Sequence, residues 1–268
     1  MRAARAGWLV LGLLFPGCSR TPSTPEQALA RVDARIYYPQ RQGIQHFTAA
    51  VRCPQLDEHF QKKVEESAEA ALYLLEMLPL QIRFGWDAKP GGRYEYRSVP
   101  ESEQELRAFL DGAFAGTEIL VVPPTEEDNF KSFNVSFGPW EEKYRLIGVN
   151  QDPHSDFTQY TVITDKTFQI VSKQYYGRDF ISTAVPTYRE ENHQLLLTDL
   201  STLRKGTPNN DQVVSEVHLT YQSVQGFWLV QSLEYVFKER RPEGDKTFRG
   251  PLTIVFSDYR INESGGEQ

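Results

Sequence analysis

The sequence predicts a mainly β fold with a smaller helical part (α+β), in which antiparallel strands build a barrel or a sandwich. Three strand-like runs, 213–221, 228–237 and 252–261, fill the C-terminal fifth of the chain and are separated by short polar turns. Successive strands joined by short turns are typical of an antiparallel meander. Phe (16 residues) and Tyr (13 residues) dominate the aromatic content, and both favour strands over helices.

The composition allows a folded core and limits the classes of partner. A chain of 268 residues can hold one large β domain or two small ones. Hydrophobic residues make up 40% of it, which is enough for a real core rather than a disordered tail. The formal net charge of −7 counts against nucleic acid as a partner, because phosphate binding needs a basic face.

Residues 1–17 have the layout of a secretory signal peptide. Arg2 and Arg5 form a basic segment, and the apolar segment 6–15 follows it. A helix that spans a bilayer needs about 20 apolar residues, so this segment is too short to serve as a transmembrane anchor. We expect removal of 1–17, a polar tether over 18–24 and a disordered tail over 263–268.

Cys18 follows the apolar segment, directly after Pro16-Gly17. A small residue before a cysteine at this position resembles the lipobox of bacterial lipoproteins, in which the cysteine becomes the acylated N-terminus. The resemblance implies lipidation of Cys18 and a membrane anchor of acyl chains, which contribute about 0.8 kcal/mol per buried CH₂. The alternative is an ordinary signal peptide that is cleaved nearby, with Cys18 incidental.

Two helices are expected before the first hairpin. The first spans 25–38, with Thr24 as its N-cap and apolar residues three and four positions apart. The longer one spans 56–78, where an apolar stripe that includes Leu72 and Leu75 recurs at helical spacing. Such a stripe is more often packed core than a ligand groove.

A hairpin and a third helix follow. The runs 82–86 and 93–96 are separated by a turn segment that contains Pro and Gly, which predicts a hairpin. The helix spans 102–114, and Ser102 and Glu105 at its start have the spacing of a capping box.

Alternating and β-branched runs predict the remaining strands. In chain order they lie at 43–52, 133–137, 144–149, 157–163, 168–175, 179–189 and 193–200. Residues 202–211 are expected to form a loop before the C-terminal meander. No second domain boundary is evident, so we expect a single domain over 25–262.

Side chains that could carry catalysis or bind a metal are scattered. The five histidines form no metal-binding motif, and two cysteines cannot supply a zinc site or a Cys-x-x-Cys pair. Cys53 is expected to be a small buried apolar side chain. Residues 152–156 combine Asp, His and Ser on one exposed loop, without the oriented base that a triad needs. The acidic segment 126–128 lacks the spacing of a calcium loop, and we interpret it as a solvated turn. We therefore expect no metal, no cofactor and no enzymatic activity.

Two segments carry a resemblance to a known family. Residues 226–230 (Gly-Phe-Trp-Leu-Val) place a glycine turn before an apolar strand with an aromatic entry, and residues 256–262 (Phe-Ser-Asp-Tyr-Arg-Ile-Asn) end the last strand. They look like the C-terminal hairpins of the bacterial lipoprotein-carrier fold, which the periplasmic lipoprotein carrier shares with its outer-membrane receptor. The resemblance implies a strongly curved, incomplete antiparallel β-barrel with helices over its open side and an apolar cavity between them.

The leading hypothesis is a monomeric, non-enzymatic lipoprotein of the bacterial cell envelope, anchored on the periplasmic side of the outer membrane. Its cavity would bind a lipid, an acyl chain or the acyl chains of a lipoprotein partner. The candidate cavity residues are large aromatic side chains of the strands: Phe133, Phe137, Phe168, Trp228 and Phe256. Two alternatives stay open, namely a scaffolding lipoprotein that acts through its surface and a hydrolase.

Overall fold

The computed structural model describes residues 21–89, 91–206, 211–240 and 246–263. The predicted signal peptide, Cys18 and the tail beyond Glu263 lie outside these residues. Within them, twelve strands form one open antiparallel sheet. The prediction of a mainly β, antiparallel fold is confirmed, and the sheet is not closed.

The strands are β1 (His46–Arg52), β2 (Ile82–Asp87), β3 (Gly91–Tyr96), β4 (Phe133–Trp140), β5 (Lys143–Asn150), β6 (Phe157–Thr164), β7 (Ile170–Gly177), β8 (Phe180–Glu191), β9 (Gln194–Gly206), β10 (Gln212–Val224), β11 (Phe227–Arg240) and β12 (Lys246–Ile261). The helices are α1 (Pro25–Arg35), α2 (Pro54–Glu66), α3 (Ala68–Leu74), α4 (Gln104–Phe114), α5 (Glu118–Val121) and α6 (Glu126–Phe130). The strand order is β3-β2-β1-β12-β11-β10-β9-β8-β7-β6-β5-β4. The last strand therefore pairs with the first, and β3 and β4 are the edges of the sheet.

Tight two-residue turns join β8 to β9 and β10 to β11. Between β8 and β9, Asn192 and His193 have positive φ angles of 50° and 65°, and between β10 and β11, Gln225 and Gly226 have 53° and 86°. Left-handed residues at both central positions of a two-residue hairpin match the right-handed twist of the flanking strands. The turn predicted at Gln225-Gly226 is confirmed.

A bulge interrupts the pairing of β1 with β12. Thr48 pairs with Arg260 and Ala50 pairs with Ser257, so two residues of β12 lie opposite one residue of β1. One of the two, Asp258, has a left-handed φ of 51°. Bulges bend a strand and redirect its side chains, and this one sets the directions of Asp258 and Arg260.

Helix α1 begins as predicted and ends early. The Thr24 hydroxyl accepts a hydrogen bond from the Gln27 amide at 3.3 Å, which confirms the predicted N-cap. The helix ends at Arg35 because Ile36 is extended (φ −88°, ψ 139°) and forms a parallel bridge with Leu195 of β9. The predicted C-terminal end at 38 is wrong, since pairing with the sheet competes for this backbone.

The helix predicted over 56–78 is in fact two helices. α2 and α3 are separated at Ser67, whose backbone is extended (φ −144°, ψ 117°). The break rotates the apolar face, so that Leu74 is 6% exposed whereas Leu72 is 83% exposed and Leu75 60%. The predicted stripe through Leu72 and Leu75 is wrong, because helical spacing predicts one face only while the helix is unbroken.

Two further predictions are wrong, one at the start of α4 and one at the end of β9. Glu103 is the N-cap of α4 and its side chain makes no capping hydrogen bond to the first turn, so the capping box predicted at Ser102 and Glu105 does not form. Residues 202–206, predicted as part of a loop, continue β9 because their backbone pairs with β10. Cross-strand pairing thus overrides a local composition that is typical of loops.

The buried apolar side chains form two clusters on one face of the sheet, which we call the core face. The first cluster joins α2, α3, α4 and α5 to β1, β2, β3, β10, β11 and β12, and its members include Phe47, Phe84, Leu110, Phe114 and Phe256. The second joins α1 and α6 to β5, β6 and β7, around Val32, Phe130, Leu146, Tyr160 and Ile170. Strands β8 and β9 lie between these two groups of strands.

Candidate functional site

A cavity of about 290 Å³ lies over β8 and β9, between the two clusters. Every second residue of β8 from Ser182 to Tyr188 reaches it, as the alternation of a strand requires. The side chains of Ser182, Ala184 and Pro186 are short, whereas that of Tyr188 is large. Its apolar wall also includes Ile36, Ile119, Leu120, Pro123, Pro124, Leu197 and Leu200. The cavity exists because small strand residues face a gap between two separately packed cores.

The wall toward the second cluster contains a buried ion pair. The Glu126 side chain, at the start of α6, is 1% exposed and binds the ammonium group of Lys173 on β7, which is 21% exposed. The Tyr160 hydroxyl donates a hydrogen bond to the other carboxylate oxygen of Glu126 at 2.7 Å. Both oxygens of this buried carboxylate therefore have a partner, as a buried charge requires.

A second buried carboxylate, Asp33 on α1, fixes the helix that carries Glu126. Its oxygens accept hydrogen bonds from the backbone amides of Glu126 at 2.8 Å and Glu127 at 3.2 Å. They also accept from the Tyr38 hydroxyl at 2.8 Å and from the Arg41 guanidinium at 3.1 Å. The first amides of a helix have no partner inside it, so Asp33 satisfies them and holds Glu126 in place beside β7.

Burial affects the pKa values of Asp33, Lys173 and Tyr188. Burial raises the pKa of Asp33 above its usual range, although its hydrogen bonds from Glu126 and Tyr38 oppose that shift. Burial alone would lower the pKa of Lys173, but the Glu126 carboxylate outweighs it and holds that pKa above its usual range. Burial also raises the pKa of Tyr188 to about 12. At neutral pH the cavity wall therefore presents a charged Lys173 and a neutral Tyr188 hydroxyl.

The lining offers a ligand two kinds of contact. The aliphatic wall can pack against a hydrocarbon chain, and Lys173, Tyr175 and Tyr188 place polar groups at one side. Glu126 compensates the charge of Lys173, so this pair adds no net charge to the wall. An apolar site with a few polar groups suits an amphiphile better than a strongly charged ligand.

The five aromatic residues predicted to line a cavity lie elsewhere in the structure. Phe256 is buried in the first cluster, Phe168 is buried in the second, and Phe133 and Phe137 pack half-buried against the second. Trp228 is half-buried, and its backbone amide donates to the Tyr37 hydroxyl at 2.9 Å. None of the five lines the cavity over β8 and β9. Large rings fill space, whereas this cavity forms where the strand residues are small.

Sequence reasoning missed both buried carboxylates. The interpretation of 126–128 as a solvated turn is wrong, because Glu126 is buried. One local signal was present: Thr125 and Asp128 have N-cap spacing, and the Thr125 hydroxyl accepts a hydrogen bond from the Asp128 amide at 3.1 Å. No local signal marks Asp33, since its buried partner amide lies 93 positions away along the chain.

Other candidate positions carry no assembled site. Cys53 is 2% exposed in the first cluster, which confirms the prediction of a buried apolar side chain. Residues 152–156 form a turn in which the His154 amide, not its ring, bonds the Asp152 carboxylate at 2.8 Å. Among the described residues, no three His, Cys, Asp or Glu side chains are placed to hold a metal ion. Nor does any helix in that part of the chain have the length and apolar character needed to cross a membrane.

Comparison of the chain with family models, with curated proteins and with solved structures gives no match. The resemblance to the lipoprotein-carrier fold therefore stays a prediction from the sequence.

Proposed function

We propose that the chain is a non-enzymatic lipoprotein of the bacterial cell envelope that binds an apolar ligand, a lipid or an acyl chain, in the cavity over β8 and β9. Acyl chains on Cys18 would anchor it, on the periplasmic side of the outer membrane. The sheet would curve strongly beneath helices that cover its open side, as in the lipoprotein-carrier fold. The proposal rests on one observation, the apolar cavity between two separately packed cores.

The lining supports an apolar ligand because its apolar residues come from separate elements and converge. Ile36 follows α1, Leu120 belongs to α5, and Leu197 and Leu200 belong to β9. Each CH₂ group that leaves water for such a site gains about 0.8 kcal/mol. A ligand in the cavity would also join two clusters that otherwise pack separately.

The volume limits the ligand to one chain. Ligand pockets commonly measure about 300–1,000 Å³, and this cavity, at about 290 Å³, is at the small end of that range. A segment of a single acyl chain fits, whereas a complete multi-chain anchor does not. Ile119 lines the cavity and is 56% exposed, which places the mouth beside α5.

The polar side of the cavity favours a ligand with a polar end. Within the described residues the Tyr188 hydroxyl makes no hydrogen bond, and it lies close enough to Lys173 for that charge to lower its pKa against the effect of burial. A free donor beside a cation is suited to an ester or carboxylate oxygen. We therefore expect an acyl ligand to lie with its oxygen-bearing end toward Lys173 and Tyr188.

A scaffolding lipoprotein that acts through its surface is the second candidate. Leu72 of α3, Leu75 directly after α3 and Phe109 of α4 are 83%, 60% and 48% exposed. Exposed apolar side chains on neighbouring elements are typical of protein contact sites. A cavity that stays empty in the cell would favour the scaffolding lipoprotein.

Native mass spectrometry with lipid extraction tests the proposal on chain purified from a bacterial host with Cys18→Ser, which removes covalent acylation. Ser182→Phe fills the cavity, and Thr183→Phe, its neighbour with a side chain on the opposite face of β8, is the matched control. We expect an acyl lipid to copurify with the parent and the control and to be lost from S182F. A lipid-free parent would end the proposal, and equal lipid in S182F would mean that the ligand binds elsewhere.

A further inference from the structure

A groove of about 470 Å³ lies at β1, β2 and β12 on the face of the sheet opposite the core face, which we call the outer face. Four arginines line it, Arg52, Arg83, Arg97 and Arg260, which we call the groove arginines. Asp258 is the one acidic residue among its lining residues in the described part of the chain. The groove is separate from the cavity, which lies on the core face over β8 and β9.

Strand pairing explains how arginines so far apart in sequence meet. On β1, the residues 47, 49 and 51 are buried while 48, 50 and 52 face outward. Outward-facing Ala50 pairs with Arg83 of β2, and Thr48 pairs with Arg260 of β12. The side chains between the two arginines are therefore small, so Thr48 and Ala50 form a floor between them.

The groove arginines are not neutralised by neighbouring acids. Within the described residues, none of them makes an ion pair with a carboxylate. Glu95 lies opposite Arg83 in the register of β2 and β3, but its carboxylate pairs with Arg93 at 3.3 Å. Asp258 accepts a hydrogen bond from the Ser257 hydroxyl at 3.1 Å. In a chain of net charge −7, unpaired arginines gathered in one groove indicate a ligand that supplies the missing negative charge.

The groove arginines keep most of their hydrogen-bonding capacity. Arg83 donates from one terminal nitrogen to the Thr48 hydroxyl, which orients its guanidinium group and leaves further N–H donors unused. Arg52 interacts with the charge of Asp57 without forming an ion pair. A guanidinium group is planar, and two of its N–H groups can donate to two oxygens of one phosphate. Arginine is therefore well suited to recognise a phosphate group.

We propose that this groove binds a phosphate group, held between the guanidinium groups of Arg83 and Arg260 above the floor formed by Thr48 and Ala50. Arg52 and Arg97 add positive charge at one end of the groove, on either side of Gln81. The site is independent of the proposed acyl cavity, and either could exist without the other. The phosphate could belong to a lipid headgroup or to a soluble phosphate, because both present the same oxygens.

A long polyanion fits the molecule less well than a single phosphate group. The basic surface is confined to one groove, and the chain around it is acidic overall. Nucleic-acid binding depends on a basic face that follows several phosphates. Tight binding of double-stranded DNA would therefore overturn the assignment of a single phosphate group.

Calorimetric titration of the full chain carrying Cys18→Ser, with inorganic phosphate as the probe, tests the site. The variant is Arg83→Gln with Arg260→Gln. The matched control is Arg178→Gln with Arg189→Gln, which removes the same charge from arginines outside the groove; Arg189 already pairs with Glu191 at 3.1 Å. We expect the groove variant to lose affinity by about tenfold or more, as for hydrogen bonds between charged groups, and the control by less than about twofold.

Flotation with vesicles separates the two sources of phosphate. Vesicles of phosphatidylglycerol mixed into phosphatidylcholine are compared with phosphatidylcholine alone, using the same proteins. Binding to the anionic vesicles that is lost in R83Q/R260Q assigns a lipid headgroup, and binding of inorganic phosphate alone assigns a soluble ligand. Both results support the site. Thermal melting verifies that the groove variant is folded, which we expect because its substitutions lie on the outer face.

Three results would overturn the proposal. The parent protein could bind neither probe, or the groove variant could bind as well as the parent. The parent could also bind double-stranded DNA more tightly than either probe through the same arginines, which would assign a polyanion instead of a single phosphate group.

Discussion

On the core face, Glu126 and Lys173 neutralise each other inside the cavity wall, whereas on the outer face the groove arginines have no carboxylate partner within the described residues. Both regions use charged side chains of the same sheet, since Lys173 lies on β7 and Arg83 and Arg260 lie on β2 and β12. In the wall, each charged group is tied into the fold through Tyr160 or the ion pair. In the groove, the four arginines line a surface depression, where they can meet a ligand.

The difference follows from desolvation. A charge in a wall that water barely reaches must be paired, and removal of its partner leaves it uncompensated. A charge at the surface is solvated and screened, so its loss has little effect on folding. The wall charges therefore maintain the structure around the cavity, while the outer charges can serve binding alone.

Substitution of Lys173 by Met should be the most damaging charge change. It leaves the Glu126 carboxylate, 1% exposed, with only Tyr160 as a side-chain partner. Removal of one member of a buried pair typically destabilises a protein by about 3–5 kcal/mol. We expect a loss of that size in the free energy of urea unfolding at pH 7.

Lys166→Met is the matched control for that change. Lys166 pairs with Glu142, but their side chains are 66% and 87% exposed. Exposed pairs contribute about 0–1 kcal/mol, so this variant should unfold almost as the parent does. Equal losses in the two variants would show that the Glu126–Lys173 pair is solvated and that the contrast between the faces does not hold.

The two sides of α3 give the next largest effect. Leu74 is 6% exposed and belongs to the first cluster, while Leu72 is 83% exposed. Leu74→Ala should reduce the free energy of unfolding by about 2–5 kcal/mol, and Leu72→Ala should change it by about 0.5 kcal/mol or less. The reverse ranking would support the single helix over 56–78 that the sequence predicts, in which Leu72 belongs to the packed stripe.

The sequence predicts the strands well because alternation and turn chemistry are local signals. Gln225-Gly226 is recognisable as a turn without any knowledge of the sheet, and Thr24 as an N-cap. The break at Ser67 is not recognisable, since a helix and a broken helix share the same apolar spacing on either side of one residue. The end of α1 at Arg35 was missed for a similar reason: the competing partner, Leu195, is distant in sequence.

The candidate sites are harder to predict than the fold. The aromatic residues proposed for a cavity, such as Phe168 and Phe256, are large, and large side chains pack. The cavity instead depends on small residues such as Ala184, whose importance appears only when the neighbouring elements are in place. The groove arginines are scattered along the sequence from Arg52 to Arg260, so no run of basic residues predicts the groove. The acidic overall composition also counts against a basic site.

The smallest effect concerns an exposed pair on β9 and β10. The His218 ring lies 2.7 Å from the Asp199 carboxylate, and this hydrogen bond holds the pKa of Asp199 below its usual range. A carboxyl whose pKa is depressed by folding adds stability above its unfolded pKa of about 3.9, and that stability is lost as the pH falls through the folded pKa. The Asp199 side chain is 48% exposed and that of His218 is 54% exposed, so the contribution should stay under about 1 kcal/mol.

The free energies of unfolding of the parent and of Asp199→Asn are compared at pH 6 and pH 3. The parent should be slightly more stable at pH 6, and this difference should disappear at pH 3. A stability difference that grows toward pH 3 would contradict the expected direction of the pH dependence. A difference of several kcal/mol at pH 6 would mean that an outer-face pair stabilises the fold as much as the buried Glu126–Lys173 pair does.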